Sequence, residues 1–172
     1  PYTTLFRSSG VLVIAKSDLA HKGLSEQLAE HSMNRIYNAI VYNGFDEDSG
    51  TVNTLIGRSQ NDRKKMAVLR TGGRNAVTHY KVLERMGKFT LVELKLETGR
   101  THQIRVHMAH IGHPLLGDPV YGPKKQVFNL QGQVLHAKVL GFVHPRTGEY
   151  MEFETELPEY FNKLIDRLKN QQ

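Results

Sequence analysis

A chain of 172 residues, 39% hydrophobic and 23% charged, suits one globular domain or most of one. It holds no cysteine, which excludes disulfides, thiolate catalysis and cysteine-based zinc sites, and no apolar run is long enough to span a bilayer. The formal net charge of +6 and the sequence pI of about 9.6 admit polyanionic partners, and a cytoplasmic location without membrane contact is expected.

Residues 11–15 (VLVIA) form a short β-branched run that predicts a buried strand. Asp18 is positioned to cap a helix reaching about Glu30, with Leu24 and Leu28 four residues apart on its apolar side. A strand is predicted over 35–42 (RIYNAIVY), and shorter ones over 51–56 and 65–69. The tetrapeptide 71–74 (TGGR) is a turn signal. Residues 77–84 and 89–97 flank Met86-Gly87-Lys88 with hairpin spacing, and Val92, Leu94 and Leu96 alternate with Glu93, Lys95 and Glu97 as in a half-buried strand. Thr101 is the expected cap of a helix running to about Ile111, with Ile104, Met108 and Ile111 as its apolar stripe and Gly112 as its stop. Strands over 134–143 and 149–155 bracket a turn at 144–148, and a helix is expected from Pro158 to about Lys169. Strands outnumber helices and are joined by hairpins, so the fold class is α+β: a mainly antiparallel mixed sheet with flanking helices.

The charge is concentrated between Arg58 and Arg74. Arg58, Arg63, Lys64, Lys65, Arg70 and Arg74 face the single acid Asp62, a net +5. A charge run of this kind is either a solvated hairpin face or a phosphate-contacting surface. Lys64 and Lys65 are the candidates for backbone contacts.

The densest chemistry lies in residues 99–122, GRTHQIRVHMAHIGHPLLGDPVYG. Two arginines, four histidines and one aspartate follow a strand end and a helix start, where polar groups can converge on a cleft. That is more polar chemistry than a packing element needs.

With GRTHQIRVHM followed by GHPLLGDPVYG, the chain resembles the RluA/RluD-type RNA pseudouridine synthases. SGVLVIAKSD at 9–18, RIYNAIV at 35–41, the GR and NDRKKMAV pieces between 57 and 68, AVTHYKVLER at 76–85 and the strand around Leu135 and His136 agree in order and spacing. The resemblance covers 9–172 and implies a pseudouridine synthase fold with a central RNA-binding cleft. It also implies a cofactor-independent isomerase that converts uridine to pseudouridine in structured RNA, with ribosomal RNA the first expectation and transfer RNA the second. No obligate protein partner is implied.

In that family an aspartate in the segment H-R-L-D-x-x-T-S-G acts on the target uridine, the uracil rotates, and carbon 5 is rejoined to the ribose. Counting back from Gly10 puts Leu5 in its register, and Tyr2-Thr3-Thr4-Leu5 stands in place of His-Arg-Leu-Asp. Leucine is neither nucleophile nor general base. The opening PYTTLFRS resembles a translated sequencing-adapter end joined to a gene fragment at about Ser8 or Ser9. On that expectation residues 1–8 are foreign, residues 9–172 are a catalytic domain lacking its N-terminal part, and the chain is inactive.

The resemblance assigns the remaining roles. Arg105 matches the arginine that pairs with the catalytic aspartate; its plainer reading is a structural salt bridge, and without the aspartate it is expected to lack its natural partner. Tyr37 matches the tyrosine that stacks on the flipped base, where the alternative is a strand tyrosine covering a core. Arg100, Thr101, His102 and Gln103 are expected to contact substrate or to support the cleft, while Gly117, Asp118 and Tyr121 belong to turn architecture beside it.

Two rivals remain open. A metal enzyme would use His102, His107, His110, His113 and Asp118, although the spacing lacks the HExxH pattern. A non-catalytic RNA-binding module would follow from natural loss of the nucleophile.

Overall fold

The computed structural model describes residues 8–170; the expectations placed on Leu5 and its neighbours lie outside them. The elements in chain order are β1 (Ser9–Gly10), α1 (Asp18–Glu30), β2 (Asn34–Tyr42), β3 (Ser49–Arg58), β4 (Met66–Leu69), β5 (Arg74–Met86), β6 (Phe89–Leu96), α2 (Gln103–His110), β7 (Leu135–Val143), β8 (Tyr150–Glu154) and α3 (Glu159–Lys169). One mixed sheet runs β1-β7-β2-β6-β5-β3-β4, with β8 also paired to β7. The β1–β7 pairing is parallel and the other pairings between named strands are antiparallel. This is the α+β architecture that the hairpin pattern predicts.

Alternation along the central strands divides the core between the two faces of the sheet. Ala39 and Val41 of β2 join Val92, Leu94 and Leu96 of β6 beneath Ile104 and Met108 of α2, which supplies the expected helical stripe. Ile40, between them on β2, points the other way and packs with Met86, Leu91, Leu116 and Val134 against Phe161, Leu164, Ile165 and Leu168 of α3. Helices α2 and α3 therefore lie on opposite faces of the sheet.

Three local expectations are corrected. Residues 11–15 do not form a strand: after Val11 donates its amide to the Ala137 carbonyl at 2.9 Å, the chain leaves the ladder. From Val139 onward that edge of β7 belongs to β8, so no ladder position is left for them. Val13 and Ala15 still pack inward beside Leu24 and Phe142, while Leu12 and Ile14 face solvent. Helix α1 is capped by Ser17, whose hydroxyl accepts the Ala20 amide at 3.3 Å; Asp18 is its first-turn acid, and Leu28 is exposed. At α2 the capping position is His102 in the left-handed conformation, and Thr101 makes no cap.

Gly87 turns the β5–β6 hairpin with φ of 60°, and Gly112 closes α2 with φ of 89°, both in the region that favours glycine. Where β2 runs past the end of its pairing with β7, residues 114–116 take over its edge. Tyr42 donates its amide to the Pro114 carbonyl at 2.9 Å, and Leu116 donates to the Ile40 carbonyl at 2.8 Å. This stitching sets the loop that carries Asp118.

Phe161 is fully buried at the centre of the α3 contact. Phe161→Ala is expected to lower stability by about 3–5 kcal/mol, seen as an earlier urea midpoint with an unchanged slope. A loss below about 1 kcal/mol would show that α3 is not anchored there.

Candidate active site

The centre of the signature segment is an ion pair sealed inside the protein. Arg105, on the first turn of α2, donates its Nε to Asp118 Oδ2 at 2.7 Å and its Nη2 to Oδ1 at 2.8 Å. Asp118 has no exposed surface, and its Oδ1 also accepts the amides of Val120 and Tyr121. Burial alone would raise the Asp118 carboxyl, but the hydrogen bonds from Arg105, Tyr121 and Val120 hold it below its usual range. Arg105 thus lies in a structural salt bridge with Asp118, which does more than shape a turn. The Tyr121 ring lies under the guanidinium, with the Arg105 Cζ 5.0 Å from the ring centroid. The Tyr121 hydroxyl accepts the Met66 amide at 3.0 Å and lies 2.9 Å from His102 Nδ1. Burial, with Arg105 adding and Asp118 opposing, lowers the His102 pKa from its ordinary value.

A second knot fixes the turn before α2. Gln103 is buried; its Oε1 accepts the Thr98 hydroxyl at 2.8 Å and the Arg100 amide at 2.9 Å. Its Nε2 donates to the Val77 carbonyl at 3.0 Å and to Thr78 Oγ1 at 2.9 Å. Gln103 is therefore a brace. Thr101 is exposed at the same turn, and Arg100 is half-buried with its Nε donated to the Asn75 carbonyl at 2.8 Å.

Tyr37 sits on the β2 face that carries α2, opposite Leu94 of β6, and is partly buried against that core. Burial raises its pKa, with the nearby Arg35 charge opposing. Arg35 was not among the residues singled out from sequence, and two features of RIYNAI could have marked it: a charged residue in a central strand, two places before the tyrosine and so on its face. Lys64 and Lys65 lie on the β3–β4 loop; Lys64 is exposed, and Lys65 is 3.9 Å from Asp62. Arg58, Arg63, Arg70 and Arg74 are also exposed, so the charge run forms a solvent-facing rim at that end of the sheet.

The histidines are used separately. His107 has no exposed surface and lies 2.8 Å from Thr78 Oγ1 and 3.0 Å from Thr54 Oγ1. His113 stacks on Phe45 at 3.7 Å between ring centroids, and His110 is exposed. Among the described residues no three His, Asp or Glu side chains converge as a metal site would require.

The sequence model of the RNA pseudouridylate synthase family matches residues 6–110. The chain is 56% identical over 162 residues to a Bacillus subtilis protein named "Uncharacterized RNA pseudouridine synthase YlyB", covering 94% of this chain and 53% of that protein. This chain belongs to the RNA pseudouridine synthase family. A relative from Zymomonas mobilis, named ribosomal large subunit pseudouridine synthase D, is 47% identical over 94% of this chain and 53% of its own length. The chain spans about half the length of the curated relatives it matches. The fold agrees: human RNA pseudouridylate synthase domain containing 1 superposes with a TM-score of 0.74 at 25% identity, over 90% of this chain and 73% of that one. Among the described residues no helix is long and apolar enough to cross a membrane. Arg105 and Tyr37 fall inside the part matched by the family model, and Asp118 follows it.

Asp118→Asn leaves Arg105 buried without its counter-charge and is expected to cost about 3–5 kcal/mol in chemical denaturation. A loss under 1 kcal/mol would mean the pair does not hold the segment.

His107 supplies a separate signature, because burial, with His110 adding, lowers its pKa from 6.5 to about 4. As pH falls through that window the unfolded chain takes up the proton first, so stability present at neutral pH declines by up to about 3 kcal/mol. Comparing His107→Gln with the unaltered protein in urea at several pH values should show a smaller acid-side decline; parallel curves would refute the assignment.

Proposed function

We propose that residues 9–172 form the catalytic domain of an enzyme that isomerises uridine to pseudouridine in ribosomal RNA. The observation that carries the proposal is the family match over nearly the whole chain, with the family's arginine held in a fixed, buried geometry. Relatives named for the large ribosomal subunit favour ribosomal RNA as substrate.

The reaction breaks the bond from uracil N1 to ribose C1′ and forms one from C5 to C1′. On balance N1 gains a proton and C5 loses one, so no redox partner or external group is required. The protein must extrude the base, hold it, and present a carboxylate to it. Tyr37 offers a ring on which the extruded base stacks. Arg105 spends Nε and Nη2 on Asp118, and Nη1 is left to orient the catalytic carboxylate. Asp118 is not that carboxylate: it is sealed from solvent and already accepts from Arg105, Val120 and Tyr121. Thr101 stands at the exposed turn above the cleft, and Lys64 and Lys65 carry backbone phosphates at the rim.

With Leu5 in the aspartate's register, the chain as given binds RNA without turning it over, which is also the reading of a non-catalytic RNA-binding module. Release of tritium from ribosomal RNA transcribed with 5-tritiated uridine separates the possibilities. The chain as given should release none, whereas a variant carrying Tyr2→His, Thr3→Arg, Thr4→Leu and Leu5→Asp should release it, and adding Arg105→Met should abolish that release. Turnover by the unaltered chain would overturn the assignment of the missing nucleophile. A silent restored variant would favour the binding module.

A further inference from the structure

Arg35 is only 7% exposed, yet among the described residues no carboxylate pairs with it. Its Nη2 donates to the Glu97 carbonyl at 3.0 Å, and its Nε is buried without a hydrogen-bond partner. A buried guanidinium whose only bond among the described residues is to one neutral carbonyl is poorly compensated. Its remaining nitrogen lies under Gly99: a Cβ built on that residue would be 2.4 Å from Arg35 Nη1. Gly99 itself is exposed, so the absent side chain leaves a thin window from solvent onto a buried cation. The next residue, Arg100, carries a second guanidinium that, among the described residues, engages only the Asn75 carbonyl through Nε. The two charges are close enough to oppose each other: Arg35 is lowered by burial first, Tyr37 raises it, and Arg100 lowers it further. Two arginines brought together without an acid form a site for an anion.

We propose that Arg35 and Arg100, on either side of the side-chain-free Gly99, bind one backbone phosphate of the RNA next to the nucleotide stacked on Tyr37. The subsite rests on the RNA-isomerase reading above and adds to it. Tyr37 holds the base while Arg35, two residues earlier on the same strand face, holds the chain from which that base is turned out. Gly99 is then a specificity element, because any larger residue would push the Arg35 fork aside.

Salt-dependent binding to a uridine-containing stem-loop RNA tests this, since each neutralised phosphate contributes about 0.7–0.9 to the slope of log affinity against log salt. Arg35→Gln should make the slope shallower by about that amount and weaken binding on the order of tenfold. Arg35→Lys should keep the slope while binding more weakly, because it retains charge but loses the fork. Gly99→Ala leaves every charge in place and displaces only the far end of a flexible side chain, so it tests the subsite even if Arg35→Gln fails to fold. It should also weaken binding and flatten the slope. Binding by the unaltered chain with slopes unchanged in Arg35→Gln or Gly99→Ala would show that Arg35 is only a brace for the turn, and would overturn the subsite alone. If the unaltered chain bound the RNA with no salt dependence or not at all, the RNA reading itself would fall.

Discussion

Everything at this site depends on the carboxamide of Gln103. One side chain ties the end of β6, through Thr98 and the Arg100 amide, to β5, through Val77 and Thr78. Val77 returns the contact by donating its amide to Thr98 Oγ1 at 2.8 Å. The chain continues from Thr78 to His107 on α2 and from His107 to Thr54 on β3. A neutral imidazole completes it, one ring nitrogen donating to a threonine hydroxyl and the other accepting from one. Burial of His107 favours that neutral form. A fully satisfied polar network inside a core resists distortion, because each broken bond strands a buried group. It therefore fixes where α2 begins, and so where Arg100 and Arg105 stand.

From that start the helix divides its labour by turn geometry. Ile104 and Met108 face the sheet core, Arg105 turns toward the loop at 115–118, and Val106 packs with Ile56 and Ala76. The loop is in turn bound to the edge of β2. Two independent anchors, one on each side, leave the Arg105–Asp118 pair little freedom. A glutamine and a threonine therefore support the arginine as surely as its own salt bridge does.

The sheet was legible because its signals are local. Alternation at Val92, Leu94 and Leu96, the glycine turn at Gly87 and the apolar stripe of α2 each depend on residues close in sequence. The failures share a different cause. VLVIA at 11–15 has the composition of a strand, but which element holds the edge of β7 is settled by β8, more than a hundred residues away. Thr101 has the chemistry of a cap, but Gln103 binds the Arg100 amide and takes over the turn. At the site, Arg105 stands out in the motif, whereas its pairing with Asp118 across thirteen residues is not legible there. Arg35 was missed because a charge in a strand reads as an outward face until the fold shows it inside.

Arg105 and the contacts that hold it are built on one stretch of the chain. Arg105 is oriented by Asp118 and Tyr121, Tyr121 by Met66 and His102, and the turn by Gln103; each of these contacts lies between residues 66 and 121. Any anion that reaches Arg105 meets a cation whose position is already fixed by Asp118 and Tyr121, so little ordering of its side chain is left to do. The electrostatics at Arg105 therefore belong to the sheet, α2 and the loop that carries Asp118.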